Sequence, residues 1–236
     1  MCLLALWVGL DPAVPLIAAA NRDEFFGRPT APPSQIEPGI VAGRDLQAGG
    51  TWLGVNRHGL FIAVTNRRQP ERTPECVSRG LLALQALGCR TLDDVETLVV
   101  KRTAEEPLAG FNLVAVNDGA GACFHWDGTL RPVRFGAGLH VVSNNRDLDD
   151  AAMPEKKIVD TFSATWVGLP DEAVLQELLR AHEGERPVCK HEERYGTVSS
   201  TIYVGRRTAP RLLYADDAPC RRPFRDYSGL VARDWS

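Results

Sequence analysis

The 236-residue chain has no stretch that approaches the ~18 unbroken apolar residues of a membrane-spanning helix. It also lacks an excess of positive charge, since 27 Lys and Arg residues stand against 30 Asp and Glu residues. We therefore expect neither a transmembrane segment nor a nucleic-acid partner. Collagen-like repeats, heptads, linkers and disordered composition are missing as well. A chain of this length buries its own core, and we expect a single domain over residues 1–236.

Closely spaced cysteine pairs are another absence. None of the six cysteines forms a C-x-x-C motif, which argues against zinc-ribbon, thioredoxin and c-type haem sites. A metal ion could be bound by a short stretch that contains His182, Cys189, His191, Glu192 and Glu193. Its spacing fits no closed set of four ligands, so we expect no metal site.

A secretory signal is also not indicated, although the chain begins with an apolar segment. No Lys or Arg precedes the apolar residues, and Asp11-Pro12 divides them into two short runs. A signal peptide has a basic start and an unbroken apolar centre. The segment instead predicts two strands, and we expect a cytoplasmic location.

Short apolar runs separated by turn residues predict antiparallel hairpins, and helical spacing predicts four helices. The predicted strands are Cys2–Gly9, Pro15–Ala20, Thr51–Val55, Leu60–Asn66, Phe111–Val116, Ala122–Trp126, His140–Ser143, Ser200–Val204 and Arg211–Tyr214. The predicted helices are Ser78–Leu87, Thr91–Arg102, Pro154–Thr165 and Asp171–Ala181, and the proline-rich segment Arg28–Gly39 is predicted as an ordered loop. Runs such as LLALWVG are typical of strands buried on both faces. The pattern predicts an α+β fold in which two antiparallel sheets lie between helical layers.

Cys2 carries the clearest chemical signal. Removal of Met1 would leave the thiol and a free α-amine on one residue. The amine titrates near ~8 and the thiol near ~8.5, so the amine can serve as the base of the thiol. An inert second-position cysteine is the competing interpretation.

Polar residues follow directly at the end of the second predicted strand, as Asn21-Arg22-Asp23-Glu24. Asp23 could accept a hydrogen bond from the α-ammonium of Cys2, and Arg22 could hold a substrate carboxylate or steady the thiolate. An ordinary polar strand end with a surface salt bridge explains the same residues.

Two segments resemble the N-terminal nucleophile (Ntn) hydrolases of the choloylglycine hydrolase and penicillin V acylase group. The hairpin Val55–Asn66 is similar to their Asn-x-x-Gly-Leu-x-x-Ala-x-x-Asn motif, and Ser143-Asn144-Asn145 is similar to their Thr-Asn-Asn segment. The resemblance implies that Asn66 and Asn144 donate to an oxyanion. Side-chain amides suit this task because they carry no proton equilibrium of their own.

Over most of its length the chain resembles the NRDE family, also called the transport and Golgi organisation protein 2 family. The motifs are Met1-Cys2, Asn21-Arg22-Asp23-Glu24, Gly49-Gly50-Thr51-Trp52-Leu53-Gly54, Asn66-Arg67, Ser143-Asn144 and Tyr195-Gly196-Thr197…Ser200-Thr201. The resemblance implies a four-layer αββα Ntn-type fold. Three positions depart from these patterns. Ala20 stands where the acylases place a catalytic Arg, and Tyr214-Ala215 stands near the final strands, where the acylases carry a second catalytic Arg. Val198 follows Thr197, whereas NRDE members often carry Arg after this Thr.

Together the residues and the resemblances give a predicted site. Its catalytic members are Cys2, Arg22, Asp23, Asn66 and Asn144, and its substrate-binding members are Asn21, Trp52, Arg67 and Asn145. Trp52 and its neighbouring glycines either frame a pocket or form a bulged strand entry with a packed indole.

The function expected from this site is cysteine-dependent hydrolysis of a non-peptide amide C–N bond in a small-molecule substrate, without a cofactor. The alternative is a non-catalytic protein that binds and carries haem or an acyl lipid between its sheets. A homo-oligomer is compatible with both interpretations.

Overall fold

The computed structural model describes residues 3–69, 76–165, 168–182 and 187–232. Cys2 therefore lies outside the described residues. Within these ranges two antiparallel sheets are formed, named sheet A and sheet B here.

Sheet A has six strands in the spatial order β10-β1-β2-β11-β12-β13. These strands are β1 (Leu3–Asp11), β2 (Val14–Phe25), β10 (Gly138–Ser143), β11 (Tyr195–Gly205), β12 (Arg211–Ala215) and β13 (Arg225–Asp226). Sheet B has seven strands in sequence order, which are β3 (Thr30–Glu37), β4 (Ile40–Asp45), β5 (Leu53–Asn56), β6 (Phe61–Asn66), β7 (Phe111–Asn117), β8 (Ala120–Trp126) and β9 (Leu130–Phe135). The helices are α1 (Arg79–Ala86), α2 (Leu92–Glu105), α3 (Pro154–Ser163) and α4 (Glu172–Arg180), with a 3₁₀ turn at Ser228–Leu230.

Three apolar clusters show how the layers are stacked. The first joins the inner faces of the two sheets, with Leu4 and Leu6 of β1 against Phe61 of β6. The second packs α1 and α2 on the outer face of sheet B, and the third packs α3 and α4 on the outer face of sheet A. Both faces of β1 and β2 are buried, which explains their nearly continuous apolar sequence. The αββα fold predicted from the sequence is therefore confirmed.

Helix boundaries follow local capping chemistry. The Thr91 side chain accepts a hydrogen bond from the Asp94 backbone N–H, and the Asp94 carboxylate accepts one from the Thr91 backbone N–H. This capping box satisfies two of the N–H groups that are otherwise unpaired at a helix start. Across the described ranges, no helix is both long and apolar enough to cross a bilayer.

The predicted loop at Arg28–Gly39 was wrong, because residues Thr30–Glu37 form β3 at the edge of sheet B. Pro32 and Pro33 lack backbone N–H donors, and the register with β4 shifts between Ala31 and Ser34. An edge strand accepts such residues because one side of it has no partner strand. The opposite edge strand, β9, also contains a proline, Pro132, and was likewise not predicted.

One end of the inter-sheet space collects the motifs described above. At this end Leu3 pairs with Asn21 of β2 on one side and with Ser143 of β10 on the other. Asn66 ends β6 directly opposite, in sheet B. The fold thus brings together segments that lie up to about 140 residues apart in the sequence.

Candidate functional site

Arg22 lies between the two sheets, on the same face of β2 as Ala20. Its guanidinium carbon is 4.4 Å from the centre of the Trp52 ring, and its Nη2 is 3.7 Å from the Glu24 carboxylate. Ala20, Arg22 and Trp52 all line a cavity of about 20 Å³. Arg22 therefore reaches the face on which the acylase pattern would place its arginine two residues earlier.

The Arg22 side chain still has a donor to offer. Its Nη1 is buried and has no hydrogen-bond partner in the part of the chain that the structure describes. A buried donor without an acceptor costs about 1–3 kcal/mol. A carbonyl or carboxylate oxygen entering this cavity would relieve that cost.

Asp23 faces the other side of β2, because side chains alternate along a strand. Its carboxylate is buried and accepts a hydrogen bond from the Thr197 hydroxyl at 2.7 Å. Tyr195 donates its hydroxyl to the Asp23 backbone carbonyl at 3.1 Å. Burial raises the pKa of Asp23, and the Thr197 hydrogen bond opposes that rise. The carboxylate is thus held in one orientation in an environment that favours a cationic neighbour.

Asn66 and Asn144 are joined across the two sheets. The Asn66 backbone N–H donates to Asn144 Oδ1 at 2.9 Å, which fixes the orientation of the Asn144 amide. Neither the Asn144 Nδ2 nor the Asn66 side chain takes part in a hydrogen bond within the described ranges. Two side-chain amides with available N–H donors therefore lie near the N-terminal end of β1, where Leu3 pairs with Ser143. An oxyanion site requires such donors.

Asn145 stabilises this arrangement from its own turn. It adopts a left-handed conformation with φ of 62°. Its backbone N–H donates to the Asn66 carbonyl at 3.0 Å, and its side-chain oxygen accepts from the Arg68 N–H at 2.7 Å. The contacts of Asn145 thus hold the Asn66–Asn144 pair in register, and its predicted contact with substrate remains a prediction.

Two further residues predicted to bind substrate also have partners within the fold. Asn21 is buried on the helical side of sheet A and donates both amide hydrogens to the carbonyls of Leu179 and Val188, at 2.9 and 3.1 Å. Arg67 pairs with Asp127 at 3.0 Å and with Asp147 at 2.6 Å. These contacts give both residues a role in the fold, and their predicted contact with substrate remains a prediction.

A buried polar network that the sequence did not reveal supports Asn144 from behind. Asn112 is fully buried on β7 and donates to the carbonyls of Ser143 and Arg146, at 3.1 and 3.0 Å, on either side of Asn144. It also donates to Thr65 Oγ1 at 3.0 Å. The only sequence signal was an unexplained Asn inside an apolar strand.

His125 completes this network. Its Nε2 faces the Leu148 backbone N–H at 3.4 Å, so its Nδ1 carries the hydrogen and donates to Asn112 Oδ1 at 2.8 Å. Burial lowers the pKa of His125 to about 4. A neutral imidazole with both nitrogens engaged is a structural group.

A larger cavity lies at the opposite end of the sheets. It has a volume of about 530 Å³ and is lined by Arg57, Arg206 and Arg207 among others. None of the residues predicted for the site lines it, and no paired nucleophile and base lie in its wall. Three residues of the predicted site, Asn21, Arg22 and Trp52, line the smaller cavity.

The architecture is shared with solved Ntn-type acylases. Over 86% of this chain and 93% of the other, it superposes on an N-acylethanolamine-hydrolyzing acid amidase ortholog from Caenorhabditis elegans, with a TM-score of 0.57 and 10% identity. Penicillin V acylase from Agrobacterium tumefaciens matches over 92% of this chain and 83% of its own, with a TM-score of 0.50 and 13% identity. At such identities the likeness establishes the fold.

Sequence similarity identifies the family. A Transport and Golgi organization 2 homolog from Mus musculus is 34% identical over 228 residues, which cover 80% of this chain and 81% of the mouse protein. A homolog from Bos taurus is 35% identical over 144 residues, covering 55% of this chain and 50% of the bovine protein. The sequence model for Transport and Golgi organisation 2 matches residues 1–180. The chain therefore belongs to the Transport and Golgi organisation 2 family, on an Ntn-hydrolase-like fold.

Proposed function

We propose that this protein is a cysteine-dependent amidohydrolase that cleaves a non-peptide amide C–N bond, with Cys2 as nucleophile after removal of Met1. The observation that carries the proposal is the Asn66–Asn144 pair, whose amide donors are available at the end of β1. Leu3 pairs with Asn21 and Ser143. Cys2 directly precedes Leu3 in the sequence.

In the proposed reaction the free α-amine of Cys2 takes the proton of its own thiol. The thiolate attacks the substrate carbonyl carbon, and the tetrahedral oxyanion accepts hydrogen bonds from the amides of Asn66 and Asn144. The α-ammonium returns its proton to the leaving nitrogen as the C–N bond breaks. Water then attacks the thioester, releases the carboxylic acid and regenerates the thiol.

Asp23 and Arg22 would support this reaction from the two faces of β2. The buried Asp23 carboxylate would orient the α-ammonium by a charge-assisted hydrogen bond. The unpartnered Arg22 Nη1 would donate to a carbonyl or carboxylate of the substrate. Arg22 would thereby fill the place left by Ala20.

The size of the cavity favours a small acyl group. The space beside Arg22 measures about 20 Å³, and that on the far side of Trp52 about 10 Å³. Spaces of this size admit about one water molecule each. They support a short acyl chain at the cavity mouth better than haem or a long lipid between the sheets.

A screen of short-chain N-acyl amides with untagged protein tests the proposal. We expect turnover that is abolished by Cys2→Ala and lowered about 10²- to 10³-fold in kcat by Asn144→Ala, the loss typical of one oxyanion donor. The control is Cys89→Ser, which removes a half-buried thiol on the outer side of sheet B. Equal turnover by Cys2→Ala would contradict the proposal. Stoichiometric haem binding without any turnover would favour carriage instead.

A further inference from the structure

Cys189, His191 and Cys220 form a compact cluster of metal-type ligands away from the amide-cleavage site. Their donor atoms all lie within 4.8 Å of one another. Cys189 Sγ is 3.6 Å from both Cys220 Sγ and His191 Nε2, and His191 Nε2 is 3.1 Å from Cys220 Sγ. The sequence predicted no metal site, because the spacing of the residues around Cys189 and His191 fits no closed set of four ligands. Cys220 was not considered there, since β11 and β12 lie between it and the other two residues in the chain.

These separations match those of ligands around a tetrahedral zinc ion. With Zn–S near ~2.3 Å, Zn–N near ~2.05 Å and tetrahedral angles, two sulfur ligands lie ~3.8 Å apart and a sulfur and a nitrogen ~3.6 Å apart. The three observed distances differ from these values by 0.5 Å or less, the largest deviation being that of His191 Nε2 from Cys220 Sγ. Two thiolates and an imidazole are also the ligand types that zinc prefers.

The backbone holds the three residues in place. Cys189 and His191 are two residues apart, and His191 forms an antiparallel bridge with Gly196 of β11. The Cys189 N–H donates to the Ala181 carbonyl at 2.8 Å. On the other side, Arg180 of α4 donates to the carbonyl of Pro219 at 3.1 Å and fixes the turn that carries Cys220.

We propose that Cys189, His191 and Cys220 bind a zinc ion, with solvent water in the fourth position. A reversible disulfide between Cys189 and Cys220 is the rival use of the thiols. The disulfide does not account for an imidazole nitrogen within 3.6 Å of both sulfurs. Three convergent donors are what a metal ion requires.

The proposed ion would brace the segment that orients Asp23. Lys190 lies between two of the ligands, and its backbone N–H donates to Thr197 Oγ1 at 2.9 Å. Thr197 returns a backbone hydrogen bond to the Lys190 carbonyl at 3.0 Å and donates its hydroxyl to Asp23 at 2.7 Å. The existence of the zinc site does not depend on the proposed reaction.

Cobalt titration of the reduced, chelator-treated protein tests the proposal, since Co²⁺ bound by thiolates in a tetrahedral site gives charge-transfer and d–d bands. We expect about one equivalent of Co²⁺ to bind and to be displaced by Zn²⁺, and zinc to be found in the untreated protein by elemental analysis. Cys220→Ser and His191→Gln each lower the affinity by more than about tenfold, because even second-shell changes at metal sites cost about 10- to 100-fold. His191 is exposed, so His191→Gln is expected to fold even if Cys220→Ser does not.

Two matched variants control for nonspecific binding. Cys89→Ser removes a thiol packed beside α1 and α2, and His58→Gln removes an imidazole at the exposed β5–β6 turn. Both are expected to bind Co²⁺ like the unaltered protein. The proposal is overturned if the reduced protein binds no Co²⁺ with thiolate bands, if the controls lose binding equally, or if only a Cys189–Cys220 disulfide forms on isolation.

Discussion

Removal of the Asn112 side chain is expected to lower the free energy of unfolding strongly. In the fully buried part of the network it donates to Thr65 Oγ1 and the Ser143 carbonyl and accepts from His125 Nδ1, at 3.0, 3.1 and 2.8 Å. The change Asn112→Ala removes these three hydrogen bonds and leaves only long contacts in their place: Thr65 Oγ1 and the Ser143 carbonyl keep each other at 3.5 Å, and His125 Nδ1 keeps Cys123 Sγ at 3.8 Å. Each buried group left unpaired costs about 1–3 kcal/mol. Taking values near the low end of that range, we expect a loss of about 3–5 kcal/mol in the free energy of unfolding.

Urea unfolding at neutral pH, followed by far-UV circular dichroism, measures this loss. The matched control is Asn117→Ala on the same strand, where the side chain makes one exposed hydrogen bond to the His58 carbonyl at 3.1 Å. We expect that control to cost no more than about 0.5 kcal/mol. A cost below about 1 kcal/mol for Asn112→Ala would refute the reasoning.

Three further predictions follow from single sites. Burial lowers the pKa of His125 from its ordinary 6.5 to about 4. Neutral, buried His125 therefore contributes its full stability above pH ~6.5, and this contribution is lost as the pH falls from ~6.5 toward about 4. In urea unfolding experiments, His125→Gln should reduce the slope of the unfolding free energy against pH in this range by up to ~1.4 kcal/mol per pH unit. A Cβ at Gly50 would lie 2.2 Å from the backbone carbon of Gly80, so Gly50→Ala should lower the unfolding free energy by at least about 1–3 kcal/mol in the same assay; Gly27→Ala, with nothing within 4 Å, should cost far less. Thr197→Val removes the hydrogen bond that opposes the raised pKa of Asp23; the acidic limb of a pH–kcat/KM profile should then shift to higher pH, and an unmoved limb would count against a role for Asp23.

Local chemistry made much of the fold predictable. The Asn117-Asp118-Gly119 turn has φ values of 46° at Asp118 and 79° at Gly119, a conformation that this sequence type favours. The start of α2 is likewise predictable from neighbouring residues, because Thr91 and Asp94 form a capping box three residues apart. Apolar runs on β1 and β2 indicated burial on both faces. Each of these features depends on residues close together in the chain.

The features that were missed depend on distant neighbours. Prolines in β3 argued for a loop, and only the position of β3 at a sheet edge makes them acceptable. Asn21 and Arg67 stand in site-like motifs, but their partners come from α4, from residue 188 and from the turns after β8 and β10. Cys220 approaches His191 only because β11 and β12, which lie between them in the chain, pair with each other. No pattern of neighbouring residues predicts these long-range contacts.

Intact mass spectrometry of untagged protein incubated with a short activated acyl ester tests the central claim most directly. The account predicts a chain that has lost Met1 and carries one acyl group, mapped by fragmentation to Cys2 and missing in Cys2→Ala. Retention of Met1 would leave the thiol without its proposed base. That result, or acylation at another residue alone, would contradict the account.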